Sequence, residues 1–233
     1  MKIAIMQPYF LPYIGYFQLI NAVDTFVIYD NIQFTKKGWI NRNRILVNGK
    51  DEYITLPLKK ASDYLDINQR KLVDSFSEDK EKMLRKIMEV YKKAPYFVET
   101  YNLLNQIFDY KNSNLFEFIF HSVQVICTHC DIKTPFVVSS SINIDHTLKA
   151  EKKVLAICKE LKASEYINPI GGTTLYDKNY FLEHRVNLYF LKTKPFEYAQ
   201  FSNSFITYLS IIDVLMFNSK ESIINFLSAF DLH

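Results

Sequence analysis

The first thirty residues constrain the fold more than any other part of the sequence, because two short apolar runs flank a stretch with helical spacing. The runs are KIAIM, which starts at Lys2, and DTFVIYD, which ends at Asp30, and YIGYFQLINAV lies between them. Strand, helix and strand in about 30 residues indicate a βαβ unit with parallel strands and a right-handed crossover. The sequence therefore predicts an α/β protein with a Rossmann-like, mostly parallel sheet.

The remaining segments extend this pattern. The turn Asn48-Gly49 separates two strand-like runs and predicts a β-hairpin. From Ser77 the apolar residues recur at helical spacing. After Pro135, strands are predicted at TPFVVSSSI and NLYFLK, and EYIN is a short segment before a turn. Helices are predicted at TLKAEKKVLAICKELKA and LYDKNYFLEHRV, and two closing helices at ITYLSIIDVLMF and KESIINFLSAF.

The chain length of 233 residues suits one sizeable domain, which we divide into three parts. Residues 1–76 hold the βαβ unit and the hairpin. Residues 77–133 form a helical insertion or cap, and residues 134–233 complete the α/β domain.

Composition excludes several classes of protein. No apolar run approaches the roughly 20 residues of a membrane-spanning helix, and the N-terminus lacks the pattern of a signal peptide. The three cysteines, Cys127, Cys130 and Cys158, favour a reducing, cytoplasmic environment over a disulfide framework. The CTHC segment lacks the further ligands of a structural zinc site, so a packed helix end and a metal or redox site stay as alternatives, and we predict no metal ligands.

The first loop, between the predicted strand and helix, is a candidate ligand-binding loop. Pro8 and Pro12 restrict its backbone, and Tyr9 and Tyr13 are available to hold a base or a sugar. Gln7 either bonds the loop backbone or faces the ligand. The helix that follows would present backbone N–H groups, which suit phosphate.

This layout is similar to that of nucleotidyltransferases, which carry a His-x-Gly-His motif after their first strand. The corresponding stretch here is Tyr13-Ile14-Gly15-Tyr16. Because both histidines are absent, the stretch argues against straightforward nucleotidyl transfer.

A basic segment follows the second predicted strand. Between Asn31 and Lys50 there is no acidic residue, while five lysines and arginines occur. Arginine binds phosphate in bidentate fashion and tryptophan stacks on a base or sugar, so the segment suits a phosphorylated or nucleotide-linked ligand. The alternative is a solvated basic edge. The candidate substrate-binding residues of this segment are Gln33, Lys36, Lys37, Trp39, Arg42, Asn43 and Arg44.

Two other segments contribute candidates. Asn168 with Gly171 and Gly172 forms a predicted tight turn, for which ligand contact and a purely structural role are both open. Ser210 and Asp213 lie within one helical turn, and Asp213 in an apolar helix needs a partner, either a basic residue of the basic segment or the substrate.

Together these segments resemble the WbqC-like family of bacterial proteins, whose members are commonly encoded among genes for O-antigen and other surface polysaccharides. The matching stretches span most of the chain in order: IMQPYFLPYIGYFQLI, DTFVIYDNIQFTKKGWINRNRI, YITLPLK, YKKAPYF, SEYINPIGGTTLYD and YLSIIDVLM. The resemblance implies a role in making a decorated sugar of lipopolysaccharide type. The family offers no catalytic residue to carry over.

The resulting hypothesis is a cytoplasmic transferase that N-acylates or aminoacylates, for example with glycine, a nucleotide-linked amino sugar. Asp30, at the end of the second strand, is the candidate general base or ligand anchor. The donor is open among an acyl-CoA, an acyl carrier and an ATP-activated amino acid, and a homo-oligomer is open too. The alternatives are an ATP-using, nucleotidyltransferase-like enzyme and a non-catalytic nucleotide-sugar-binding module. RNA binding is disfavoured by a net charge of only +3.

Overall fold

A computed structural model describes residues 1–201 and 204–233. Its main feature is a six-stranded sheet, and a separate two-stranded hairpin accompanies it. The sheet strands are β1 (Lys2–Met6), β2 (Thr25–Ile28), β5 (Phe136–Val138), β6 (Glu165–Pro169), β7 (Asn187–Thr193) and β8 (Phe230–Leu232), and the hairpin strands are β3 (Arg42–Val47) and β4 (Lys50–Thr55). The helices are α1 (Ile14–Asn21), α2 (Phe76–Tyr91), α3 (Phe97–Phe108), α4 (Leu115–His129), α5 (Ala150–Glu160), α6 (Lys178–Glu183), α7 (Ile211–Phe217) and α8 (Lys220–Leu227). The predicted α/β class is confirmed.

The strand order of the sheet is β5-β2-β1-β6-β7-β8. All neighbours are parallel except β7 and β8, which are antiparallel. If the six strands of this sheet are renumbered 1 to 6 in chain order, leaving out the hairpin strands, their order across the sheet is 3-2-1-4-5-6. This is the strand order of doubly wound, dinucleotide-binding folds. The order reverses between β1 and β6, so their carboxyl ends border the crevice in which such sheets bind ligands.

Apolar side chains cover both faces of the sheet, as a parallel sheet requires. Along β1, Ala4 belongs to the core on one face, and its neighbours Ile3 and Ile5 belong to the core on the other. The larger core joins the sheet to α1, to the helices α2, α3 and α4, and to α7 and α8. The smaller core joins it to α5 and α6. The helical segment thus packs into the larger core of the sheet.

The hairpin turn is formed as its sequence predicts. Asn48 and Gly49 have φ angles of 50° and 75°, which a two-residue turn of this type needs and which these residue types tolerate. The turn fixes the register that places Arg42 and Arg44 on one face of β3.

The end of the chain differs from the prediction. The segment predicted as one closing helix up to Phe230 ends its helix at Leu227, and β8 pairs with β7 instead. The preceding helix begins only at Ile211, because the Ser210 side chain caps it by accepting a hydrogen bond from the Ile212 N–H at 3.3 Å. The sequence does not predict β8, because three residues are too few to show the alternation of a strand. Its pairing also depends on β7, which is distant in the chain.

Candidate functional site

A cleft lies at the carboxyl ends of β1 and β6, where the strand order reverses. This switch-point cleft has a volume of about 400 Å³ and no charged lining residue in the described part of the chain. Its walls come from the ends of β1, β2 and β6 and from α5: Ile5, Met6, Gln7, Tyr9, Tyr29, Ile32, Val154, Asn168, Pro169, Gly171, Gly172, Leu175 and Tyr176. Burial raises the pKa of Tyr9 and of Tyr29 to about 12, so both hydroxyls keep their protons at neutral pH and can donate hydrogen bonds.

A second cavity, of about 330 Å³, lies between the first loop and the hairpin. This hairpin cavity is lined by Tyr9, Pro12, Tyr13, Trp39, Asn43, Arg44 and Tyr208. Because Tyr9 lines both this cavity and the switch-point cleft, the two adjoin across one side chain.

A third cavity, of about 370 Å³, lies at the end of β7. Among the walls of this β7 cavity are Tyr13, Thr193, Phe196, Tyr198, Phe205 and Tyr208. Tyr13 and Tyr208 also line the hairpin cavity. The three cavities therefore adjoin one another across shared side chains, and we treat them together as the candidate site.

The first loop is held rigidly by groups from distant parts of the chain. Leu11 has a φ of 43°, which is unfavourable for a leucine and persists only where neighbours fix the backbone. The Asn43 amide donates to the Phe10 and Leu11 carbonyls at 3.2 and 2.9 Å, and the Ser210 hydroxyl donates to the Leu11 carbonyl at 2.7 Å. Asn43 and Ser210, both predicted to bind substrate, thus hold the loop that carries Tyr9 and Tyr13.

The start of α1 is shaped by the ring of Tyr13. A side chain at Gly15 would overlap that ring, so glycine is needed for the tyrosine to lie against the helix. The helix has no side-chain cap and no acidic residue in its first turn. Gln7 is held through its carbonyl, which accepts a hydrogen bond from the Tyr16 hydroxyl at 3.0 Å, while its side chain lines the switch-point cleft.

The hairpin presents a stack of aromatic and cationic groups. The guanidinium of Arg44 lies 5.4 Å from the ring centroid of Trp39, which stacks on Tyr53 at 6.1 Å, and Arg42 lies 4.7 Å from the Tyr53 ring. Arg44 pairs with Asp51 at 2.9 Å, but its buried Nε has no hydrogen-bond partner in the described residues. The partly exposed side chain of Arg44 and the ring of Trp39 both line the hairpin cavity.

Four predicted residues of the basic segment line none of the three cavities: Gln33, Lys36, Lys37 and Arg42. Arg42 donates to the Gly38 and Lys37 carbonyls at 3.1 and 2.7 Å, so it closes the loop before β3. Lys36 pairs with Asp63 at 2.8 Å, and the Gln33 amide donates to the Asp63 carbonyl at 2.9 Å. The side chain of Lys37 is exposed. In the structure, Lys36 and Gln33 are engaged with the loop around Asp63.

Asp30 lies at the end of β2 with only 2% of its surface exposed. Its carboxylate accepts hydrogen bonds from the Ser139 hydroxyl at 2.9 Å, from the Ser140 N–H at 2.9 Å and hydroxyl at 2.6 Å, and from the Asn68 amide at 2.7 Å. These bonds join the ends of β2 and β5 to a distant loop. Asp30 lines none of the three cavities, and its role as general base or ligand anchor stays a prediction.

Asp213 is fully buried, and its partners differ from those predicted. It accepts hydrogen bonds from the hydroxyls of Tyr91 and Tyr198 at 2.8 and 2.7 Å and from the Gln200 amide at 2.7 Å. No basic residue pairs with it among the described residues. Burial raises its pKa, because no cation offsets the cost of removing the charge from water. Through Tyr198 it positions a wall of the β7 cavity.

The Asn168 turn is built around one required glycine. The Asn168 side chain accepts from the Tyr166 hydroxyl at 2.9 Å and donates to the Pro169 carbonyl at 3.2 Å. A Cβ atom at Gly172 would overlap the Asn168 amide, whereas one at Gly171 would meet nothing within 4 Å. Gly171 therefore borders open space at the switch-point cleft.

The structure adds residues that the sequence reading did not select. Tyr29 directly follows β2, and Ser139 directly follows β5. Their position immediately after a predicted strand is the sequence signal that could have identified them. Lys153 is buried on α5, where its spacing of three residues from Ala150 and four from Ile157 already placed a lysine on the apolar side of the helix. Tyr208 carried no signal, because its position depends on the fold of the chain around α7.

The CTHC segment forms a packed helix end. Cys127 and Cys130 are buried free thiols at the end of α4. Burial raises the pKa of Cys130 to about 12, which opposes the reactive thiolate form.

Comparison with known proteins shows the family to which the chain belongs. The model of the WbqC-like protein family matches residues 7–225. The chain belongs to the WbqC-like family. A relative in Mycobacterium tuberculosis, the uncharacterized protein Rv1507c, is 28% identical over 217 residues, which cover 92% of each chain. No solved structure matches this WbqC-like protein.

The longest helix in the described part of this WbqC-like chain is α2, with 16 residues. Among its described residues, no helix combines the length and apolar character needed to cross a bilayer.

Proposed function

We propose that this WbqC-like protein is a transferase that attaches an acyl or aminoacyl group, such as glycyl, to the amine of a nucleotide-linked amino sugar, in the cytoplasmic assembly of a bacterial surface polysaccharide. One observation carries the proposal. The switch-point cleft adjoins, across Tyr9, a cavity in which the guanidinium of Arg44 lies over the ring of Trp39.

The nucleotide end of the substrate fits the switch-point cleft. Sheets with this strand order bind nucleotides at the switch point. The cleft offers aromatic walls at Tyr9, Tyr29 and Tyr176, and it offers open backbone at Gly171. Aromatic rings stack on a base, and an exposed glycine permits close approach of a ligand to the backbone.

The sugar end fits the hairpin cavity. Trp39 is 38% exposed, and such a ring stacks on the apolar face of a sugar. The guanidinium of Arg44, whose side chain lines this cavity and is partly exposed, can donate to the phosphate that carries the sugar. Arg42, Lys36 and Lys37 line none of the cavities, so Arg44 is the arginine of the basic segment that we assign to the ligand.

The β7 cavity is left for the donor, because Tyr13 and Tyr208 separate it from the hairpin cavity. In the transfer, the sugar amine attacks the carbonyl carbon of the donor. A C–N bond forms, the bond to the thiol or phosphate leaving group breaks, and the proton that the amine gives up passes to the departing group or to solvent. An acyl-CoA, an acyl carrier and an ATP-activated amino acid all fit this scheme.

Trp39 is the only tryptophan, so its fluorescence reports directly on the hairpin cavity. We expect nucleotide-linked amino sugars to change this fluorescence and raise the melting temperature. Arg44→Met should weaken binding about 10- to 100-fold, as for loss of a hydrogen bond to a charged group. Arg85→Met, which removes an exposed arginine on α2, is the matched control and should bind as the wild type does.

A panel of UDP-, GDP-, CDP- and dTDP-linked amino sugars that leaves both signals unchanged would contradict the nucleotide-sugar assignment. Binding without product from any of the three donor classes would favour the non-catalytic binding module. Incorporation of labelled nucleotide from ATP would favour the nucleotidyltransferase-like alternative.

A further inference from the structure

A buried lysine stands beside the switch-point cleft without an ion-pair partner. Lys153 is 5% exposed, and its Nζ donates to the Asn31 carbonyl at 3.2 Å. In the part of the chain that the structure describes, no carboxylate oxygen lies within 4.0 Å of that Nζ. An ammonium carries three protons, so two donors of Lys153 are unused inside the protein. A buried charge of this kind is costly unless an anion or further acceptors complete its shell.

The surroundings of Lys153 place it at the wall of the cleft. Its Nζ lies 5.0 Å from the ring centroid of Tyr29, which lines the cleft, and the next residue in α5, Val154, lines it too. Asn31, which accepts the lysine's hydrogen bond, precedes Ile32, another lining residue. Lys153 is therefore not itself a lining residue, but its ammonium lies against the ring of one, Tyr29.

The nearest carboxylates do not satisfy the lysine. Asp30 and Asp66 act on it only from beyond ion-pair distance, and the Asp30 carboxylate is already occupied by its four hydrogen bonds. Burial lowers the pKa of Lys153, while the two carboxylates oppose that shift. An anion in the cleft would favour the charged form further.

The cleft itself supplies no charge, although the ligand proposed for it carries a diphosphate. All its described lining residues are uncharged. In a site of low dielectric constant, one buried cation interacts strongly with a phosphate. A flexible four-carbon stem allows a lysine to turn its ammonium toward an arriving ligand.

We infer that Lys153 is the diphosphate-binding residue of the switch-point cleft and that the class of ligand it selects is a nucleoside diphosphate. The inference rests on the proposed function, which places the nucleotide in this cleft. It assigns to Lys153 the phosphate attached to the nucleoside, and to Arg44 the phosphate that carries the sugar.

Titration calorimetry tests the inference by comparing the affinity for UDP, GDP, CDP and dTDP with the affinity for the corresponding nucleosides. For the diphosphate that the wild-type protein binds most tightly, Lys153→Met should weaken binding about 10- to 100-fold. The affinity for the corresponding nucleoside should stay within about threefold of the wild-type value. Lys153→Arg, which keeps the charge, should restore most of the affinity. Lys152→Met removes the exposed neighbouring lysine and should change neither.

The melting temperature of the unliganded variants separates binding from structure. Replacing a buried, unpaired ammonium by an apolar side chain of similar length removes its desolvation cost, so Lys153→Met should melt at or above the wild-type temperature. If Lys153→Met bound the diphosphate with the same affinity as Lys152→Met, the role of Lys153 would be overturned and the proposed function would stand. A wild-type protein that binds none of the diphosphates or nucleotide sugars would overturn both.

Discussion

At the scale of single residues, polar groups at the sheet edge divide into those that hold the site and those that face it. The side chains of Asp30, Asn43 and Ser210 form hydrogen bonds with backbone and side-chain groups of distant segments. Arg44 and Lys153 each have at least one donor without a partner among the described residues. Residue type alone does not distinguish the two groups, because both contain side chains that commonly bind ligands.

The Gly171-Gly172 pair offers a matched test at this scale. Gly172→Ala should lower the free energy of unfolding by about 1–3 kcal/mol, because the added methyl overlaps the Asn168 amide and forces it from its two hydrogen bonds. Gly171→Ala should change it by less than about 0.5 kcal/mol. Urea unfolding measures both, and equal losses in the two variants would contradict the packing described for Asn168.

At the scale of elements, the first loop matters because it separates the three cavities and carries two of their shared walls. Its proline and tyrosine composition predicted a stiff, ligand-facing loop, and it does line the cavities. The source of its stiffness was not predictable. The hydrogen bonds that fix Leu11 come from Asn43 and Ser210, which are far from it in the sequence.

Asn43→Ala tests how the loop is held. Loss of two hydrogen bonds to the Phe10 and Leu11 carbonyls should cost about 2 kcal/mol of unfolding free energy and weaken nucleotide-sugar binding, because Tyr9 and Tyr13 lose their fixed positions. Asn41→Ala is the control, since its amide is also buried but donates to the Leu56 carbonyl instead. If Asn41→Ala reduced binding as much as Asn43→Ala did, the loop would not be held in the way proposed.

At the scale of the whole molecule, the helical segment 77–133 and the sheet share one apolar core. Phe10 of the first loop lies 6.2 Å from Phe108 of α3 and 6.5 Å from Phe118 of α4, measured between ring centroids. A segment packed in this way contributes to the stability of the sheet. The division of the chain into three parts stays a prediction about its sequence organisation.

Calorimetry tests the shared core. We expect a single unfolding transition with a ratio of calorimetric to van't Hoff enthalpy of about 1. Phe118→Ala in the larger core and Phe181→Ala in the smaller core should each cost about 3–5 kcal/mol, because both side chains are fully buried. Both variants should move the same transition. Two resolved transitions, of which Phe118→Ala shifts only one, would show that the helical segment is an independent unit.

The sequence by itself determined the α/β class, most strands and helices, the hairpin turn and the segments that reach the sheet edge. These properties follow from local periodicity and turn chemistry, as in the first βαβ unit and at Asn48-Gly49. Only the tertiary structure decided the strand order, the pairing of β8, and which polar groups remain free to meet a ligand. Pairing and burial depend on partners far apart in the chain: Asp30 and Ser139 are 109 residues apart, and no local pattern shows that they are bonded.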